Sequence, residues 1–178
     1  MSRLHTIAVN EATGTTAELF SAIKKAIGKV PNAYATIGSN SPAILAHVLQ
    51  TGALLKQTSL SAGEQEAINL AVSEASACDY CVAAHSMTGK MAGYSSEQLR
   101  QLRSGSYPED AKVDALVRFA VRLVKTTGTL PGEAVEAVKA AGYDDRQIVE
   151  ALLTVNSILF TNMLNRVNDT TLDFPKVS

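Results

Sequence analysis

The chain has 178 residues, 46% of them hydrophobic, which is enough length and apolar content to bury a globular core. Its formal net charge is −1, with Lys and Arg scattered along the chain, so nothing draws it to nucleic acid or to an anionic membrane surface. Trp is absent and aromatics make up 5%, so the core must be assembled from Ala, Leu, Ile and Val.

The N-terminal stretch Met1 to Gly14 has no apolar run of the length a secretory signal needs. No segment is expected to approach the roughly 18 apolar residues of a membrane-spanning helix. The expected location is the cytoplasm, with no membrane partner.

The pattern along the chain is helical almost throughout, with no convincing alternating strand. Thr15 or Thr16 can cap a first helix running to about Ile27, stopped by Gly28 with Pro31 beyond. Ser41-Pro42 opens a second, to about Lys56, proline suiting a first turn. Ser61 with Glu64 fits a capping box before a third helix, Ala62 to about Ala75. Ser76 and Asp79 are weak interior helix formers, so a break is expected near Ala77. A fourth helix then stops at Gly93. Ser95 with Gln98 caps a fifth, ending near Gly105. Pro108 to about Thr127 and Pro131 to Ala141 follow, closed by Gly128 and Gly142. Asp144 caps the last long helix, to about Val167. The expectation is one all-α domain over 1–178, with a motif half at about 30–105 and a scaffold or interface half at about 106–170.

A possible degenerate repeat runs through this pattern. Lys90-Met91-Ala92-Gly93-Tyr94-Ser95-Ser96-Glu97-Gln98-Leu99 recurs, 49 residues on, as Lys139-Ala140-Ala141-Gly142-Tyr143-Asp144-Asp145-Arg146-Gln147-Ile148. In that register Cys78, Cys81 and His85 map to Thr127, Leu130 and Ala134, so the second copy lacks the chemistry of the first.

That chemistry is concentrated in Cys78-Asp79-Tyr80-Cys81-Val82-Ala83-Ala84-His85, which holds both cysteines of the chain. Steps of three and four residues place Cys78, Cys81 and His85 within one narrow arc of a helix. A break near Ala77 would set the cysteines at a helix N-terminus, whose positive end favours thiolate over thiol. A thiolate attacks peroxide or disulfide sulfur, and a histidine one turn away can take or return the proton.

Other readings of the pair are weaker on chemical grounds. Zinc takes four ligands, and only His85, His47, His5 or carboxylates could follow the two thiols, so no metal is expected. A thioredoxin-type site needs a preceding strand, which is missing. Inert buried cysteines would make the spacing and the nearby histidine a coincidence. His47 reads as a packing or half-exposed residue and His5 as part of the tail. Among carboxylates, Glu74 falls by helical spacing among Ala67, Leu70 and Ala71, so it is expected on the packed side, where burial would raise its pKa. Glu66 lies at the edge of the same arc, and Glu64 is a cap partner. Tyr80 either lines a pocket or packs.

Glu66, eleven intervening residues, then Cys78-x-x-Cys81-x-x-x-His85 resembles the core motif of AhpD-like alkylhydroperoxidases, of the carboxymuconolactone decarboxylase superfamily. The resemblance extends to Val30-Pro31-Asn32-Ala33-Tyr34, the Pro42 helix and Leu60-Ser61, and so spans about 30–102. It implies an all-helical AhpD-like fold assembled as a homo-trimer or homo-hexamer. It also implies a peroxidase without a cofactor, reducing a hydroperoxide through the cysteine pair at the expense of a separate thiol or dithiol reductant. By that similarity Cys81 attacks, Cys78 resolves, and His85 with Glu66 relays protons. Periodicity favours Glu74 as the buried acid where the resemblance selects Glu66; Glu74 and Tyr80 stay as secondary candidates. The chain departs from well-known members in having Asp79-Tyr80 between its cysteines, where they carry His, and Ser76-Ala77 before them, where Asn-Gly is common. The competing reading is a non-enzymatic helical oligomer whose CxxC and histidine bind metal or sense oxidants.

Overall fold

The computed structural model describes residues 2–176, and among these residues every regular element is helical. After a single 3-10 turn at Val9–Glu11 come α1 (Gly14–Ile27), α2 (Asn32–Asn40), α3 (Pro42–Leu55), α4 (Ala62–Ala75) and α5 (Asp79–Met91). They are followed by α6 (Ser96–Arg103), α7 (Ala111–Lys125), α8 (Gly132–Ala140) and α9 (Asp145–Asn168).

Local chemistry sets most of these boundaries. Reciprocal capping boxes open α4 (Ser61 with Glu64), α6 (Ser95 with Gln98) and α9 (Asp144 with Gln147), each satisfying two backbone donors that the helix leaves unpaired. Gly28 ends α1 in the left-handed conformation that a Cβ would strain. The two stretches with recurring sequence share one kind of stop. At Gly93 and at Gly142 the amide of the glycine and that of the following tyrosine fold back onto the preceding helix. Their likeness lies in this stop-and-cap geometry.

Three elements differ from the sequence expectation. Helix α2 was not anticipated. Gly38 within it is pressed so close to Phe20 and Leu45 that an added Cβ would lie 2.6 and 2.8 Å from their side-chain carbons, so packing rather than propensity makes the helix. Helix α1 starts before Thr15, with Thr13 at the N-cap position but making no side-chain cap bond, while buried Thr16 donates to the Gly38 carbonyl. Helix α7 starts after Pro108, because the Asp110 carboxylate accepts the Lys112 and Val113 amides.

Helix α4 is the hub, packed against α5, α6, α7 and α9. One of its sides, Ile68 and Val72, meets Leu116, Phe119 and Ala120 of α7 and Ile148, Ala151, Val155 and Ile158 of α9. Its other side, Ala67, Leu70 and Ala71, meets Val82, Leu99, Leu102, Val113 and Val117. A separate cluster of Phe20, Ile23, Ala35, Ile37 and Leu45 holds α1–α3 together. Helix α9 is long and apolar enough, by length and composition, to cross a membrane, which the sequence reading overlooked; here its inner face lies in the core. Its outer face leaves Val149, Leu152, Phe160, Met163 and Val167 exposed.

Candidate redox site between helices 4, 5 and 9

The expected break between the third and fourth predicted helices is present and sharp. Ala77 takes a left-handed φ of 52°. Its amide bonds to the Glu74 carbonyl and the Cys78 amide to the Ser73 carbonyl, a helix stop that glycine usually serves. Cys78 is thereby the N-cap of α5 and Cys81 sits in its first turn. Both thiols are free and buried, and the Cys78 thiol donates to Cys81 Sγ across 2.9 Å.

The two sulfurs are electrostatically unequal. The Cys78 thiol is pushed far up, first by holding its proton against Cys81 and then by burial. The Cys81 thiol is brought down to about 7 by the hydrogen bond from Cys78. Burial opposes this; Asn165, Asn162 and Thr161 reinforce it. The geometry therefore separates a proton-holding sulfur from an acidic one.

Glu66 of α4 and His85 of α5 come together: Oε2 lies 2.8 Å from Nδ1, with about a fifth of each side chain exposed. Thr88 Oγ1 donates to the same Oε2 at 2.6 Å. Burial alone would raise the Glu66 carboxyl, but His85, Thr88 and Asn69 outweigh it and hold the pKa below the usual carboxylate value.

Glu74 is elsewhere. The burial expected of it is not found: its carboxylate is exposed and accepts from Arg103 Nε of α6 at 2.6 Å. The last turn of α4 emerges from the core, and a long side chain at the edge of the apolar arc turns outward there. Glu74 and Arg103 instead flank a cleft of about 640 Å³ whose wall includes Cys78, Tyr80 and Asn165. Tyr80 both packs and lines this cleft. Its hydroxyl accepts from the Ala33 amide at 3.2 Å and its ring meets Phe174 edge-on. Phe174 belongs to the segment after α9, which Lys29 anchors through Asp173 and a cation–ring contact. His47 and His5 are exposed, away from the thiols. Among the described residues, no three His, Cys, Asp or Glu side chains are placed to hold a metal ion.

Sequence reasoning passed over α9 as a source of site residues. Asn162 and Asn165 are buried on its inner face, Asn165 Nδ2 lying 3.3 Å from Cys81 Sγ and Asn162 Nδ2 3.2 Å from Ser73 Oγ. The available signal was an amide at every third position, 162, 165 and 168, continuing the inward stripe of Ile148, Ala151, Val155 and Ile158. Tyr34 of α2 also faces the pair, its hydroxyl pushed up by burial and by Cys81.

Residues 42–126 match the model of the Carboxymuconolactone decarboxylase family. A comparison with curated proteins gave no match. Among solved structures, an uncharacterised peroxidase-related protein with an alkylhydroperoxidase AhpD core from Ralstonia eutropha JMP134 superposes with a TM-score of 0.85. The identity is 19%, over 97% of this chain and 92% of that one. The apo debrominase Bmp8 superposes with a TM-score of 0.81 at 16% identity, over 97% and 93%. A peroxidase-related protein from Silicibacter sp. TM1040 gives 0.77 at 19% identity, over 96% and 94%. The likeness to these structures is one of fold, and the fold is AhpD-like.

Proposed function

We propose, for a chain whose residues 42–126 match the model of the carboxymuconolactone decarboxylase family and whose helices follow the AhpD-like fold, that it is a thiol-dependent peroxidase reducing hydroperoxides. The observation that carries this reading is the inequality of two touching thiols, Cys81 acidic and Cys78 holding its proton 2.9 Å away.

The chemistry follows from that pair. The Cys81 thiolate attacks the terminal oxygen of R–O–O–H. The O–O bond breaks, the alkoxide takes a proton from the His85–Glu66 pair and leaves as an alcohol, and Cys81 is left as a sulfenic acid. Cys78 then attacks that sulfur, water departs, and a Cys78–Cys81 disulfide forms. A separate thiol or dithiol reductant returns both sulfurs to thiols by exchange. Cys78 is the sulfur on the cleft wall, which supports access to the disulfide from that side. No cofactor enters the cycle. The exposed face of α9 supports assembly of a homo-oligomer, a trimer or hexamer by resemblance.

The test is a thiol count before and after one equivalent of cumene hydroperoxide, with the alcohol measured in parallel. Loss of two thiols per chain with one alcohol formed supports the reading. Unchanged thiols overturn it. Because a debrominase shares this fold, 2,3,4-tribromopyrrole belongs in the same assay; thiol oxidation by it alone would redirect the proposal to dehalogenation.

A further inference from the structure

We infer that Asn165 is the residue of α9 that holds the Cys81 sulfur in its anionic form, with Asn162 behind it, and so sets how reactive the site is at neutral pH. The inference deepens the dithiol reading above and names a thiolate-stabilising contact that lies 84 positions from Cys81 in the chain.

Three observations carry it. Asn165 is 4% exposed and its Nδ2 donates to Cys81 Sγ at 3.3 Å. A buried anion is tolerated only where donors converge on it, and this sulfur faces the Cys78 thiol from its own segment and, on the facing helix, Asn165 at 3.3 Å with Asn162 and Thr161 in support. Next, the carbonyl oxygens of Asn162 and Asn165 are buried without a partner. An aliphatic side chain would pack there without that cost, so the amides are explained by what their N–H groups reach. Finally, Asn168, one turn further on, has a different pattern. Its amide donates to Thr36 Oγ1 and Thr170 Oγ1, and its carbonyl accepts the Leu4 amide at 2.8 Å. Asn168 is a satisfied structural joint; the two amides nearer the thiols are the ones left half-satisfied.

Other groups bear on the same titration. Cys78 and His85 share α5 with Cys81, Glu66 faces from α4 through His85, and Tyr34 faces from α2. Tyr80, with Asp173 beside it, lies on the C-terminal side, and Arg166 and Asp169 border the cleft at Cys78. Thr161 and Asn162 of α9 also bear on Cys81, so a change at position 165 removes the Asn165 contact while leaving theirs in place.

The experiment follows the pH dependence of iodoacetamide alkylation in the full chain carrying Cys78→Ser, where Cys81 is the one remaining thiol. Asn165→Leu should move the midpoint of alkylation up by about one pH unit and slow the reaction near pH 7 by up to about tenfold. Asn165→Asp should move it further, since a carboxylate adds like charge beside the sulfur. Asn165→Ala provides the same comparison if the Leu protein folds poorly. Asn168→Ala should lower the melting temperature while leaving the midpoint in place. An unchanged midpoint in the Leu and Ala variants overturns the inference, as does an equal shift in Asn168→Ala. Alkylation uses no peroxide, so a shifted midpoint in a protein that does not consume hydroperoxide would sink the proposed function and leave this contact standing; the reverse result would do the opposite.

Discussion

The Glu66 carboxylate of α4 and the His85 imidazole of α5 meet at 2.8 Å, closing a polar link between the hub helix and the helix that carries both thiols. Thr88 fixes the same carboxylate oxygen from one turn further along α5. Removing either end of the pair leaves both sulfurs in place but removes the proposed proton route. His85→Ala and Glu66→Gln are each expected to slow peroxide reduction by about 10²–10⁴-fold, the usual worth of general acid–base help. Glu74→Gln should have a smaller effect, its carboxylate being spent on Arg103 at the surface. Stopped-flow rates on the three proteins check the order, and a larger loss at Glu74 would reassign the relay.

Separating the sulfurs gives a second expectation. Cys81→Ser should abolish fast reaction with hydroperoxide, whereas Cys78→Ser should react once and stop at a sulfenic acid for want of a resolving thiol. Dimedone labelling followed by mass spectrometry reads this directly. Label trapped on Cys78 in the Cys81→Ser protein would reverse the two roles.

The pH profile follows from Cys81, whose pKa falls from the usual 9.0 to about 7. The thiolate is the reactive form, so single-turnover oxidation should rise through pH 7 and level off well before 9. A profile still climbing steeply at pH 9 would mean an ordinary thiol. Linkage has its own sign. Glu66 is held below the ordinary carboxylate value of 4.5, so its pair with His85 contributes to stability above that value and loses the contribution as pH falls through the lower folded value. Glu66→Gln should therefore flatten the acid limb of stability below about pH 4.5 in urea titrations.

Ala77 offers a stability test independent of chemistry. A non-glycine residue at a φ of 52° is strained by roughly 1–2 kcal/mol. The extra backbone freedom of glycine in the unfolded chain offsets part of that relief. Ala77→Gly is expected to gain about 1 kcal/mol, which for a chain of this size raises Tm by about 2–4 °C. A fall in Tm would show that the Cβ of Ala77 is making a contact worth more than its strain.

The outer face of α9 sets the expectation for assembly. Val149, Leu152, Phe160, Met163 and Val167 recur at helical spacing and are exposed, an apolar stripe that a second copy of the chain would cover under the proposed assembly. Sedimentation at micromolar concentration should give one species several times the chain mass, and Met163→Lys should shift it towards the monomer. A monomer in the unmodified protein would remove the assembly claim without touching the thiols.

How far these features can be read in the sequence depends on their range. The span of α4, Ala62–Ala75, and the break at Ala77 are legible to the residue, because capping boxes and weak helix formers act over a few positions. Helix α2 is not, because Pro31, Gly38 and Asn40 argue against a helix locally and only the fit of Gly38 against Phe20 and Leu45 favours one. Motif spacing points to Glu66 and His85, whereas periodicity points to Glu74, since it registers an arc but not where the covering helices end. Asn165 escaped both, because an amide on an apolar stripe acquires meaning only through the sulfur that folding brings to it.

Because α4 is enclosed by four other helices, its amides can exchange with deuterated solvent only when the fold as a whole opens. Glu66, the carboxylate proposed to relay protons, is thus mounted on the hub helix, where exchange is expected to be slowest. The cleft beside Cys78 is bordered by the segment after α9, held by Lys29, Asp173 and a few ring contacts. Deuterium uptake should divide the site between these two clocks: hours or longer on the acid side, seconds on the side where a reductant would enter.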